Sequence, residues 1–196
     1  MTTTTRTTTQ PPATSRRINV WRALAIIAFL VNFVPNLIPG QTVLQDPVHG
    51  HTPFSVAHIF FVVWWVALYI LQVHYVFQLF SKNEQVRRVA FGVVPHFVTF
   101  ALLEYGWSSL WLRRQWVLAE IVAAVNLLQI TWAYFFHQTF GQSLRLYLSV
   151  HAAVVAFPFA YLFHIVLWNG AMAVRAHNLI GRLFANVFVS HALICH

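Results

Sequence analysis

Apolar residues in this chain come in unbroken blocks about as long as a bilayer is thick, and that limits the fold more than any other feature. A spanning helix needs about 20 mostly apolar residues, because a hydrocarbon core of about 30 Å is crossed at about 1.5 Å per residue. Five runs meet that length: Val20 to Pro39, Phe54 to Phe80, Val89 to Leu112, Trp116 to Phe136 and Leu144 to Trp168. A sixth, Leu179 to Cys195, is shorter. It could span, lie in the interface, or be a truncated span. The expectation is an all-α polytopic transmembrane helix bundle of five spans plus this short sixth segment, with the lipid bilayer as its surroundings.

Charge supports the same class. Charged residues make up 8% of the chain, against about 25% in a water-soluble domain. The net charge of +8 comes from 12 Lys and Arg against 4 acids. These cations stand at the ends of apolar runs: Arg16, Arg17 and Arg22, then Lys82, Arg87 and Arg88, then Arg113 and Arg114. Membrane flanks carry basic residues in that way, whereas a nucleic-acid module gathers them on a water-facing surface. No nucleic-acid partner is expected. Counting Lys and Arg on alternate sides puts eight with the N-terminus and four opposite, which predicts a cytosolic N-terminus. The single cysteine, Cys195, excludes an internal disulfide framework and any cysteine-based metal site.

Residues 1–17 are Thr-rich, carry Pro11-Pro12 and lack acids, so they are expected to be a disordered tail. An Arg- and Thr-rich, acid-free leader can be an organellar transit peptide, but no amphipathic pattern accompanies this one, and a cytosolic tail is the expectation. Residues 18–196 then form one transmembrane domain. A polar loop over Gly40 to Pro53 separates the first two runs, and Arg113 to Gln115 makes a very tight turn between the third and fourth.

Inside the third run stands a carboxylate, Glu104, 13 residues after Phe91 and 8 before Leu112. A charge there costs about 2.5–3.5 kcal/mol on insertion scales, so such residues face a partner or a cavity. Helical spacing puts Trp107, Ser108 and Trp111 on its face, with His96 roughly on the same side. This stripe could line a ligand cavity or a proton path. The plainer alternative is an uncharged Glu104 hydrogen-bonded to a neighbouring helix. Glu120 sits one turn into its helix, where the dipole favours an anion, with Arg113 and Arg114 near enough to pair with it. Asn126 and Gln129, deeper in the same run, are expected to join helices.

Eleven histidines raise the question of metal or haem. No clustered histidine box of the di-iron kind occurs. His151 and His164 are 13 apart, which rotates one about 140° from the other, away from the shared face that paired haem ligands need. No metal, cofactor or catalytic residue is expected, and no P-loop, GxSxG, HExxH or GxGxxG pattern is present. Of the eight tryptophans, Trp21, Trp116 and Trp168 fall at run ends and fit an interfacial belt. Trp64, Trp65, Trp107 and Trp132 lie deeper. With Tyr69 they could wall an aromatic pocket, or simply pack helices. Pro158 inside the fifth run frees a carbonyl and predicts a kink.

Over roughly residues 40–195 the chain resembles a fungal family of multi-pass membrane proteins defined by a domain of unknown function. The resemblance is carried by TPFSVAHIFFVVWWVALYILQVHYVFQLFSKN, LLEYGWSSLWLRRQWVLAEIVAAVNLLQ and VLWNGAMAVRAHNLIGRLFANV. More distantly it is similar to the tryptophan-rich TspO/translocator family, five-helix proteins that bind porphyrins and sterols. That pattern is matched by Phe61, Trp65 and Tyr69, by Trp107 and Ser108, and by Pro158 and Asn169. Glu104 stands where that family usually has asparagine, and Val63 where it has proline. This likeness implies a fold and hints at an apolar ligand.

Three functions follow as expectations. The first is a non-enzymatic protein that binds or moves a small apolar or amphipathic ligand in an aromatic-lined cavity, with Glu104, Trp107, Trp65, Tyr69, Ser108, Trp111 and His96 at the site. The second is a proton-coupled transporter or channel using Glu104 and His96. The third is a structural or assembly subunit.

Overall fold

Asn83 shows how a polar residue between apolar runs starts a helix. Its side-chain oxygen accepts from the backbone N–H groups of Gln85 at 3.0 Å and Val86 at 3.3 Å, satisfying two of the donors that a helix start leaves open. The helix it caps, α3, therefore runs over Glu84–Leu112, one and a half turns earlier than the apolar run alone predicts. The computed structural model describes residues 15–37, 58–136 and 143–173.

Among the described residues every regular element is helical. α1 is Ser15–Phe33, tightening into a 3₁₀ turn over Val34–Leu37. α2 is His58–Gln78, α4 is Trp116–Phe136, and α5 is the short Leu144–Leu146. A π-helical segment, Tyr147–Ala156, continues α5 directly into α6, Phe157–Ala173. Pro158 lies just past the π segment, where the shifted backbone pairing accommodates proline's missing donor. α6 also runs beyond Trp168, the end of the fifth apolar run, so Asn169 is inside the helix. The predicted tail up to residue 14, the loop at 40–53 and the sixth apolar segment, Leu179 to Cys195, lie outside the described residues.

The turn from α3 to α4 closes with a pair of reversed hydrogen bonds. Gln115 N donates to Leu110 O at 3.0 Å and Arg114 N to Trp111 O at 2.8 Å. This two-bond helix stop needs a left-handed residue, and Arg114 supplies it with φ 57°. At the other end of the bundle, Arg22 of α1 donates from Nε to Leu79 O at 3.1 Å and lies over the Phe80 ring at 4.7 Å. It thus caps the carbonyl end of α2, where a cation is favoured.

The principal packing closes a ring: α1 on α3, α3 on α4, α4 on α6, the π segment on α2, and α2 back on α1. Small residues let the backbones approach, including Ala25, Ala90, Ala101, Ala119, Ala123 and Ala133, all buried. The opposite faces are apolar and exposed: Val66, Ile70, Phe77, Ile121, Leu128 and Phe135 among others. In water such a surface would be an association site many times over. Four helices, Arg16–Leu37, Glu84–Leu112, Trp116–Phe136 and Tyr147–Ala173, are long and apolar enough to cross a membrane. This is the helix set of a multi-pass membrane protein.

Candidate functional site

α3 turns one continuous stripe inward, and its upper half carries the polar groups. Glu104 is 2% exposed, Trp107 and Trp111 are fully buried, and Ser108 is buried beside them. The four positions at i, i+3, i+4 and i+7 share a face, as their spacing predicts.

Tyr161 of α6 completes the centre of the site. Its hydroxyl donates to Glu104 Oε1 at 2.6 Å, and both side chains are buried. Trp65 of α2 meets the Tyr161 ring edge-on, with centroids 6.2 Å apart. On the other side the Trp168 ring packs tilted against Trp111, with centroids 4.3 Å apart, and lies 6.4 Å from Trp107. Trp116 adds an edge contact to Trp111 at 4.4 Å. The carboxyl group is thus set in an aromatic wall from α2, α3 and α6.

The polar atoms on this wall are incompletely paired. Glu104 Oε2, Trp107 Nε1, Ser108 Oγ and Trp111 Nε1 are buried without a hydrogen-bond partner among the described residues. Native interiors pair the large majority of buried side-chain polar atoms, so four exceptions on one face of one helix are unusual.

One predicted member, His96, turns away from the carboxyl group, and another, Tyr69, lies at the edge of the site. His96 is half-buried on α3 and meets Gln129 of α4, Nδ1 to Oε1 at 3.2 Å. Gln129 in turn donates to Asn126 Oδ1 at 3.0 Å, and Asn126 donates to Phe100 O at 3.3 Å. Eight residues on a helix turn His96 about 80° from Glu104, which takes it to the α3–α4 seam, where Asn126 and Gln129 join helices as expected. Tyr69 is half-buried and faces α1, its hydroxyl accepting from Asn36 Nδ2 at 3.0 Å and its ring edge-on to Phe33 at 4.9 Å. Its ring meets Trp65 edge-on at 5.3 Å, and its hydroxyl is near enough to Glu104 for the two to interact electrostatically.

The tryptophans sort differently from their distance to run ends. Trp168, predicted for the interfacial belt, is buried in the indole cluster, because its face of α6 meets Trp107 and Trp111 of α3. Trp132, predicted as deep and inward, is 59% exposed and stacks on Phe136 at 4.1 Å. Trp64 is 36% exposed and stacks on Phe157 at 4.9 Å.

Glu120 pairs with an amide rather than with arginine. Asn169 Nδ2 donates to Glu120 Oε2 at 2.8 Å and to Trp116 O at 3.1 Å. Gly170 makes room for this contact, since a Cβ there would sit 3.3 Å from Glu120 Oε1. Among the described residues the ion pair is Arg88 with Glu84, at 3.2 Å on the exposed start of α3. No group of three His, Cys, Asp or Glu side chains is placed to hold a metal among the described residues.

Sequence reading singled out neither Tyr161 nor two buried amides, Gln72 of α2 and Asn32 of α1. Among the described residues Gln72 is fully buried with neither amide atom paired, and Asn32 Oδ1 also lacks a partner. A signal for Gln72 existed: it lies three residues after Tyr69 and seven after Trp65, on the stripe of α2 that carries both. No family model matches the chain, and no curated protein or solved structure matches it.

Proposed function

We propose that this chain is a non-enzymatic membrane protein that binds or moves a small apolar or amphipathic ligand inside its helix bundle. The carrying observation is the set of four unpaired polar atoms on one buried face of α3, walled by Trp65, Tyr161 and Trp168. An apolar ligand body suits the indoles and a polar end suits the unpaired atoms, the usual composition of a small-molecule site. The likeness to the tryptophan-rich translocator family points the same way. In this reading α2 is a fifth span and the N-terminus lies on the cytosolic side.

The test is titration of the detergent-purified protein with a porphyrin and with a sterol, followed by tryptophan quenching. Saturable quenching that Trp107→Phe diminishes is the expected result. Unchanged fluorescence, or quenching indifferent to that substitution, counts against the reading.

A second reading, proton-coupled transport, draws on the unpaired Gln72 and Asn32, which extend the polar interior towards α1. It relies on Glu104 without His96 as its neighbour. It predicts pH-driven flux in liposomes that Glu104→Gln abolishes, and normal flux in that variant removes it.

A further inference from the structure

The unpaired atoms at Glu104 differ in what they can offer a ligand. An indole N–H only donates, and Trp107 and Trp111 each present one. The Ser108 hydroxyl can donate or accept. Glu104 can be either an acceptor or, as the acid, a donor at Oε2. Its surroundings favour the acid. No cation pairs with it among the described residues, where the ion pair is that of Arg88 and Glu84. A carboxylate at 2% exposure among indoles would have one hydrogen bond, from Tyr161, and no cation to set against its lost hydration among the described residues. The bond from Tyr161 occupies Oε1 and leaves Oε2 as the carboxyl oxygen without a partner among the described residues.

The face therefore presents donors: two indole N–H groups, a carboxylic acid O–H and a serine hydroxyl. Resting on the ligand-binding reading above, we infer that the ligand's polar end is a hydrogen-bond acceptor, a carbonyl oxygen as in a ketone, ester or quinone, and not an ammonium group. Glu104, Trp107 and Ser108 span a rise of about 6 Å along α3, close enough to converge on one such oxygen. Trp111 lies about one turn further and serves a second acceptor or a water.

An aromatic cage with a carboxylate is also what an ammonium ligand would use, so the two chemistries must be set against each other. The probes are cholestanone, cholestanol and aminocholestane, which share one ring skeleton, titrated in nanodiscs of neutral lipid by tryptophan quenching. Cholestanone is expected to bind tightest and aminocholestane weakest, by roughly tenfold, the ratio equivalent to about 1.4 kcal/mol. Glu104→Gln keeps a donor at that position and is expected to retain the ketone preference. Trp107→Phe and Ser108→Ala each remove a donor and are expected to shrink it. Near-UV circular dichroism of the indole cluster reports whether each variant is folded, and the Trp107 and Ser108 variants decide the matter if Glu104→Gln is not.

Equal affinity for ketone and amine overturns the inference and leaves the ligand-binding reading standing. So does amine preference that Glu104→Gln abolishes. If the ketone preference is unchanged by both Trp107→Phe and Ser108→Ala, the donors named here are not its source and the inference fails. Saturable binding by none of the three skeletons overturns the ligand-binding reading itself, and this inference with it.

Discussion

The hydroxyl of Tyr161 donates to Glu104 Oε1 at 2.6 Å, joining α6 to α3 between residues 57 apart in sequence. Both groups are buried, so the bond replaces hydration that neither can recover.

Tyr161→Phe leaves the acceptor stranded, and a buried unpaired acceptor costs about 1–3 kcal/mol. The variant is expected to unfold more readily by that amount in a reversible detergent titration. Combining it with Glu104→Leu should cost less than the sum of the two single changes, because the second removes the group that the first strands.

The close of α3 makes a backbone prediction. Arg114 holds φ 57°, a conformation that costs an L-residue about 1–2 kcal/mol and glycine little. Arg114→Gly should therefore be more stable than Arg114→Val by at least about 1 kcal/mol. Both variants remove the same charge, so thermal unfolding of the pair isolates the backbone effect.

Asn169→Ala removes two hydrogen bonds, to Glu120 Oε2 and Trp116 O. Interhelical bonds of this kind in membranes are worth about 0.6–2 kcal/mol, and a loss in that range is expected. Arg113→Ala should change stability by no more than about 0.5 kcal/mol, since Arg113 is exposed and outside the Glu120 contact. A larger loss for Arg113→Ala than for Asn169→Ala would restore the arginine pairing that sequence spacing suggested.

Trp132 faces outward while Trp107 and Trp111 are enclosed. Brominated lipid should quench a fluorescence component that Trp132→Phe removes and Trp111→Phe leaves in place. The reverse pattern would mean that α4 is turned the wrong way.

Much of this architecture was legible because lipid and backbone geometry act on long stretches. α4 falls on Trp116–Phe136, the apolar run itself, and the Glu104–Trp111 stripe followed from a period of 3.6 residues. What was hidden depended on contacts between runs. Tyr161 sits in an apolar run like several other aromatics, and only packing against α3 marks it. Depth along a run misplaced Trp168 and Trp132, because burial depends on which face meets a neighbour, not on distance from the run's end. The Glu120–Asn169 pair was missed for a similar reason. Asn169 lies just past the end of the fifth apolar run, while the helix continues through Ala173. His96 was close to the stripe by counting, and its rotation of about 80° from Glu104 was enough to give it to Gln129.

The most direct measurement on the site is the infrared C=O stretch of Glu104 in bilayers, assigned by its loss in Glu104→Gln, recorded without and with a saturating carbonyl-bearing sterol. The account predicts a protonated-carboxyl band that shifts when the ligand binds, as its acid proton takes a new acceptor. A band that stays in place at saturation, or a Glu104 that shows only carboxylate absorption, would contradict it.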